Sequence, residues 1–373
     1  HYQNNNSNTS SNDDSGTTTT EGSSPLPRWI FLWNFVAMLA YQTLDNMDGK
    51  QARRTRSSSP LGLLFDHGCD AVNSIFGSAN WIIGMNLDPT QDKLQCWALV
   101  FGPFAMFYIS TWEQYYTGEL IMPFINGPNE GLLGGAFLSF ASYLYGNDYW
   151  QRTDWWNSTL LQTTMARILP PSLQRDYLTT IELRNCDFVV IFSCLGFIQE
   201  VVFKSYEVTR RYTGSATALI PFVVLATGFW IVGSIEPTIW LDLPRTSLHL
   251  AMVLFVEQVT DLMVAHVTAQ PFCAYRWQLA PLLGLVVWVV LVALFKTDHK
   301  QQGEEEQEGN DTKFHIQYVV TAYTLTMATY LTMKSILLIH EICQVLKIFC
   351  FDIVTPYNDD SQSHFKKKKT KTI

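Results

Sequence analysis

The chain has 373 residues, 47% of them hydrophobic and 14% aromatic, and only 16% charged, against about 25% in soluble domains. A formal net charge of −8 argues against a nucleic-acid binder, which carries a basic excess. Seven scattered cysteines form no Cys-x-x-Cys pair, so neither a zinc ribbon nor a disulfide framework is indicated.

Residues 1–27 are rich in Asn, Ser, Thr and Gly. They lack a charged n-region followed by an apolar core, so they are not a signal peptide. They are expected to be a disordered polar linker. The chain starts at His1 rather than at a methionine, and residues upstream of it are expected to be missing. Trp29 to Leu44 is the first apolar run, and further runs cover roughly 71–87, 95–112, 131–146, 186–203, 216–235, 246–268, 277–296 and 316–338. That makes about nine candidate membrane spans. Ser, Gly and Thr recur inside them, as where helices pack closely in lipid. Trp81, Trp97, Trp112, Trp230, Trp240 and Trp277 lie near run ends, where interface anchors sit.

Lys50, Arg53, Arg54 and Arg56 follow the first run and place that end in the cytosol. Counting onward puts 113–130, Lys204, Arg210, Arg211, Arg276 and the basic tail 354–373 on the same side. The 147–185 loop and the Glu304–Glu306 cluster fall on the other, although Arg152, Arg167, Arg175 and Arg184 blur the bias. The chain ends Lys369-Thr370-Lys371-Thr372-Ile373, with lysines three and five residues from the end. That spacing matches a retrieval signal for the endoplasmic reticulum; the alternative is a solvated basic tail.

The stretch between the first two runs carries the chemistry. Asp45 and Asp48 end one run, and Asp66 and Asp70 begin the next. Spacings of three and four residues put each pair on one helix face. Two helix ends can therefore gather four carboxylates at one depth. So many bare carboxylates repel and take up protons. One or two hard divalent cations remove that cost, and oxygen-only ligands suit Mg²⁺, Mn²⁺ or Ca²⁺ rather than zinc.

The wording Asp45-x-x-Asp48-Gly49-x-x-Ala52-Arg53, eight residues, then Gly62-x-x-x-Asp66-x-x-x-Asp70 resembles the signature of the CDP-alcohol phosphotransferases. Phe65-Asp66-His67-Gly68-Cys69-Asp70 and the Ser-Ser-Ser-Pro-Leu-Gly turn before it look like the choline/ethanolaminephosphotransferase branch. The resemblance runs from about residue 28 to 353. It includes Trp112 to Gly118, Asn126 to Gly131 and His340 to Ile348, the last an amphipathic stretch. It implies an all-α, polytopic membrane bundle of about ten spans. It also implies phosphocholine or phosphoethanolamine transfer from CDP-choline or CDP-ethanolamine to diacylglycerol, which releases CMP. Two Mg²⁺ or Mn²⁺ ions, a homodimer and an endoplasmic reticulum or Golgi membrane with a cytosolic active site belong to the same expectation.

By that resemblance Asp45, Asp48, Asp66 and Asp70 hold the metal. Gly49, Ala52 and Gly62 leave room for the nucleotide. Arg53 and Lys50 face its phosphates, the first as a fork and the second as a point charge. Arg54 is read as an anchor on the cytosolic side, and Cys69 as a small packing residue. His67 is the expected base for the attacking hydroxyl, with Asp70 as the alternative. Glu130 either orients His67 or caps a helix after the Asn-Gly-Pro turn; Glu113 and Asn126 are weaker candidates. The spacing of Glu257, Asp261 and His266 is read as one helix face lining a lipid path or building a structural network. Glu200 and Lys204 are expected to pair structurally.

Two other readings stay open. One is a family member acting on another acceptor, such as inositol or glycerol phosphate. The other is a non-catalytic transporter or scaffold, although no inverted repeat or broken-helix pair supports it. The family's Trp-x-Pro-Asn element before the motif has no counterpart here, and about nine spans stand against the family's ten; both fit the expectation that a first helix upstream is missing.

Overall fold

The computed structural model describes residues 26–120, 127–168, 182–296 and 305–350. Among them the elements are helical throughout: α1 Arg28–Thr55, α2 Pro60–Gly84, α3 Lys93–Thr117, α4 Gly127–Tyr145, α5 Thr159–Ile168, α6 Asn185–Arg211, α7 Ile220–Ile235, α8 Thr238–Leu241, α9 Pro244–Thr268, α10 Ala280–Lys296 and α11 Glu305–Leu346. Each of the nine apolar runs falls on a helix. Five segments are long and apolar enough to cross a membrane by length and composition, Lys93–Thr117, Asn185–Arg211, Ser215–Ile235, Pro244–Thr268 and Trp277–Leu294. The other runs lie on α1, α2, α4 and α11, which mix polar groups into their apolar stretches. The linker before residue 26, Asn126, the Glu304 position and the tail after residue 350 lie outside the described residues.

The α1–α2 turn sets the geometry of everything near it. Arg56 adopts the left-handed conformation, φ 58°, and its N–H returns to the Ala52 and Arg53 carbonyls. Ser59 is extended, φ −143° and ψ 157°, as the residue before a proline must be. Its Oγ accepts the Gly62 N–H at 3.1 Å, and Pro60 sits at a first-turn position where its missing N–H costs nothing. Asp48 and Asp45 stand seven and ten residues before Thr55; Asp66 and Asp70 stand six and ten after Pro60. At a rise of about 1.5 Å per residue, the two pairs reach nearly the same depth on either side of the turn.

The bundle is held by close backbone approach and by polar clamps. α4 packs against both α1 and α2. Between them Asn34 donates to Asn80, Ser139 Oγ donates to Asn80 Oδ1 at 2.8 Å, and Asn80 Nδ2 donates to the Gly135 carbonyl at 3.0 Å. α3 and α6 approach so closely at Gly102 that a Cβ there would lie 2.3 Å from the Phe197 ring. α9 is central and packs on α2, α3, α7 and α11. The Phe104 and Phe255 rings stack at 4.1 Å between α3 and α9. Trp112 and Tyr108 are fully buried, and each donates to a carbonyl just before α7, of Ser215 at 3.0 Å and Ala218 at 2.7 Å, as buried aromatic donors require.

Glu200 and Lys204 do pair, at 3.7 Å, but the closer partner of Lys204 is Glu113 of α3 at 2.7 Å. Both Glu113 and Lys204 are buried, and Ser110 Oγ accepts from the same ammonium at 3.1 Å. The weaker site candidate Glu113 is therefore a clamp between α3 and α6. Breaking one partner of a buried pair leaves the other charge exposed to an apolar interior. Glu113→Ala should cost about 3 kcal/mol, the low end of that range, because Glu200 stays beside Lys204. Thermal unfolding in detergent reads it; a wild-type midpoint would show that the pair is idle.

Candidate active site

The hairpin gathers the acids as its register demands. One carboxylate oxygen each of Asp45, Asp48 and Asp66 lies within 4.8 Å of the others. Asp70 sits in hydrogen-bonding reach of Asp45 and accepts the Tyr41 hydroxyl at 2.5 Å. Asp45 lies beyond the apolar run of α1. Burial first, then the charges of Asp70 and Asp66, push its carboxyl up to about 7. Burial raises the Asp70 carboxyl as well, against the opposing hydrogen bond from Tyr41.

The rest of the bundle treats acids differently. Asp92 and Asp187 share Arg184, Glu113 pairs with Lys204, and Glu257 and Asp261 share Arg276 and Lys334. Among the described residues no lysine or arginine pairs with the four clustered aspartates; their one basic neighbour is His67, with Nδ1 3.5 Å from Asp66 Oδ2. The donor set is all oxygen, comes from two helices and lacks compensating charge, which fits a hard divalent cation.

His67 is 6% exposed, on the buried face of α2. Its Nε2 lies 3.1 Å from Gln114 Oε1 of α3, and its ring meets Phe107 edge-on at 6.0 Å. Its Nδ1 has no hydrogen-bond partner. Gly49 donates its N–H to Asp48, and a Cβ added to it would meet only Arg53 Nη1, at 3.5 Å. Lys50, Arg53 and Arg54 are exposed, Ala52 is half-buried, and Gly62 is exposed in the first turn of α2. Cys69, expected as a packing residue, is exposed. Glu130 lies exposed in the first turn of α4. Among the described residues no hydrogen bond or ion pair joins it to His67.

Tyr41 and Gln114 are partners the sequence reading did not single out. Tyr41 is four residues before Asp45, hence on its face of α1, and that spacing was the available signal. Gln114 and Glu113 are adjacent and both buried; nothing in the sequence distinguishes the one that meets His67 from the one that meets Lys204. Glu257 and Asp261 do share a face, but His266 does not join them. Nine residues from Glu257 is two and a half helical turns, so His266 points away from that pair, within electrostatic reach of His67 instead.

A polytopic helical bundle with a cation-suited acidic cluster between the two helices of a hairpin defines the class: a membrane protein with a candidate divalent-metal centre. The sequence profile described as CDP-alcohol phosphatidyltransferase matches residues 25–122. Choline/ethanolaminephosphotransferase 1 of Arabidopsis thaliana is 31% identical over 339 residues, 88% of this chain and 80% of that protein. Uncharacterized CDP-alcohol phosphatidyltransferase class-I family protein 3 of Dictyostelium discoideum is 30% identical over 271 residues, 69% of this chain and 66% of that protein. Cholinephosphotransferase 1 of Saccharomyces cerevisiae is 27% identical over 287 residues, 71% of this chain and 67% of that protein. The chain belongs to the CDP-alcohol phosphatidyltransferase family.

The electrostatics of the pocket give a testable sign. Removing one charge relieves the repulsion among the acids and removes a ligand at the same time. Metal-free Asp45→Asn should melt higher than metal-free wild type, by about 2 °C. Added Mg²⁺ or Mn²⁺ should raise the midpoint of wild type more than that of the variant. A variant that melts lower without metal, or gains as much from it, would show that the cluster holds no cation.

Proposed function

We propose that this protein transfers phosphocholine or phosphoethanolamine from the CDP-alcohol to diacylglycerol, forming phosphatidylcholine or phosphatidylethanolamine and CMP. The observation that carries this reading is the uncompensated Asp45–Asp48–Asp66 cluster, with Asp70 beside it, at the turn of the hairpin. The names of the similar proteins support the choice of donor.

Asp45, Asp48, Asp66 and Asp70 would hold Mg²⁺ or Mn²⁺; when bound, the ions neutralise the pyrophosphate and stabilise the negative charge that leaves with CMP. Arg53 and Lys50, exposed within about one and a half turns after Asp48, bind and orient the diphosphate. Gly49, Ala52 and Gly62 keep that surface low so that the nucleotide lies close. With Nε2–H of His67 donating to Gln114 Oε1, the imidazole presents the lone pair of Nδ1 on the side of Asp66. That nitrogen takes the proton of the lipid hydroxyl. The hydroxyl oxygen then bonds to the phosphorus that carries the head group, and the bond from that phosphorus to the bridging oxygen breaks with its electron pair leaving on CMP. Asp70, fixed by Tyr41, holds its position facing Asp45. Glu130, in the first turn of α4, is assigned to orienting His67 or helping to accept the proton. We assign the reaction to an endoplasmic reticulum or Golgi membrane, with the acidic pocket on the cytosolic face.

The assay supplies Mg²⁺, diacylglycerol and labelled CDP-choline or CDP-ethanolamine in turn to membranes without endogenous activity. His67→Ala should lower kcat by about 10²–10⁴-fold, the contribution of a general base, and Asp70→Asn should abolish metal-dependent product. Phospholipid formation by His67→Ala at the wild-type rate would remove the base role. Formation of a different phospholipid when CDP-diacylglycerol replaces the donor, and inositol or glycerol phosphate replaces diacylglycerol, would move the protein to another acceptor.

A further inference from the structure

The charge network on the far face of α9 has more polar atoms than partners. Glu257 Oε1 receives Lys334 Nζ at 2.8 Å and Gln278 Nε2 at 2.9 Å, with Arg276 Nη1 at 3.7 Å. Arg276 and Lys334 both also reach Asp261. Gln278 Nε2 further meets the Tyr330 hydroxyl at 3.1 Å. Two acids and two bases balance, so the cluster carries no net charge to offer an ion. Yet Glu257 Oε2, Arg276 Nε and Gln278 Oε1 are buried without a hydrogen-bond partner. Such orphans are rare in native interiors, and several in one place call for a bound group. Two are acceptors and one is a donor. A hydroxyl answers two of the three at once: its hydrogen goes to one acceptor, the carboxylate or the amide oxygen, and its lone pair accepts from the guanidinium.

Lys334 belongs to a second feature as well. A groove of about 360 Å³ runs along α11, lined by Tyr330, Met333, Lys334, Leu337, Leu338 and Glu341. Met333 and Leu337 are 55% and 57% exposed on that face. Apart from Lys334 and Glu341 its lining is apolar or aromatic, and within a bilayer it meets acyl chains. The groove therefore meets the charge network at Lys334, whose ammonium bonds the same Glu257 carboxylate that carries an orphaned oxygen, which is the layout of a site for an amphipathic molecule.

We propose that this cluster and groove bind an uncharged lipid bearing a free hydroxyl, at a site separate from the acidic pocket. Identifying that lipid as diacylglycerol rests on the proposed function; the site itself does not. The spacing makes it a holding position. Glu257 precedes His266 by nine residues, about 14 Å along α9, and His266 lies in electrostatic reach of His67. A hydroxyl seated at Glu257 lies on the other face of α9 from the end that turns toward His67, and the lipid moves from one face to the other before transfer.

The test uses the full chain in lipid nanodiscs, without CDP-alcohol, and a photoreactive diacylglycerol with a free hydroxyl. Mass spectrometry maps the labelled peptides. Labelling of residues 330–341 should be displaced by unlabelled diacylglycerol and about tenfold less well by its 3-O-acetyl derivative, the loss of one hydrogen bond to a charged group. Leu337→Trp, which fills the groove from the surface, and Gln278→Leu, which removes an acceptor, should each cut that labelling about tenfold while the protein stays monodisperse. Labelling confined to α1, α2 and α3, equal displacement by the acetyl derivative, or unchanged labelling in both variants would overturn the proposal and leave a water-filled structural network. Labelling of α11 as expected in a protein that transfers nothing from either CDP-alcohol would uphold the site and remove the reaction.

Discussion

Mutual repulsion of four carboxylates is the constraint on which this bundle turns. Two unit charges 4 Å apart cost about 1 kcal/mol in water and about 4 kcal/mol near a protein surface. A typical hydrogen bond contributes about 1 kcal/mol. No single contact at the hairpin can therefore hold Asp45, Asp48, Asp66 and Asp70 together. The hold is distributed. Ser59 caps α2 at the turn, and the Asn34–Asn80–Ser139 chain fastens α1 and α2 to α4. Glu113 and Lys204 fasten α3 to α6, so that α3 presents Gln114 to His67. An acidic cluster whose members repel one another, held together by clamps outside it, is arranged in advance for positive charge.

The opposite end of α3 shows the contrast. There Arg184, just before α6, reaches Asp92 at 2.6 Å, Gln151 at 2.8 Å and Asp187 at 3.0 Å. One guanidinium ties the start of α3, the start of α6 and the segment between α4 and α5. Every group in that cluster finds a partner of opposite charge or an amide, and the cluster asks for no ligand. Among the described residues the acidic cluster has no such answer. Composition would not separate the two, since each is rich in aspartate; the presence or absence of a basic partner does.

Much of the pocket was legible because helical periodicity is strict. Spacings of three and four residues placed the aspartates in pairs on one face, and the short break at Arg56 to Ser59 fixed their common depth. The nine apolar runs found their helices for the same reason. The tertiary partners were not legible. Lys204 was assigned to Glu200 because both lie on one helix, yet it turns toward Glu113, 91 residues away, where it gains the shorter contact. His266 was placed with Glu257 and Asp261 by proximity in sequence, and half a helical turn of phase sends it to the other side. Local spacing fixes a face; only packing decides what the face meets.

That division of faces gives α9 its part in the molecule. One side stacks Phe255 on Phe104 of α3 and turns its C-terminal end toward α2 and His67. The other side carries Glu257 and Asp261 against Arg276 and Lys334. Buried ion pairs contribute little net stability, because desolvation offsets attraction, so the network is a poor means of merely gluing α11 to the bundle when apolar contact would serve as well. Its directional bonds do something apolar packing does not. They fix the rotation of α9 about its own axis, and a helix whose rotation is fixed on one face holds the phase of the residues on the other. The geometry around His67 therefore depends on charges that never touch it.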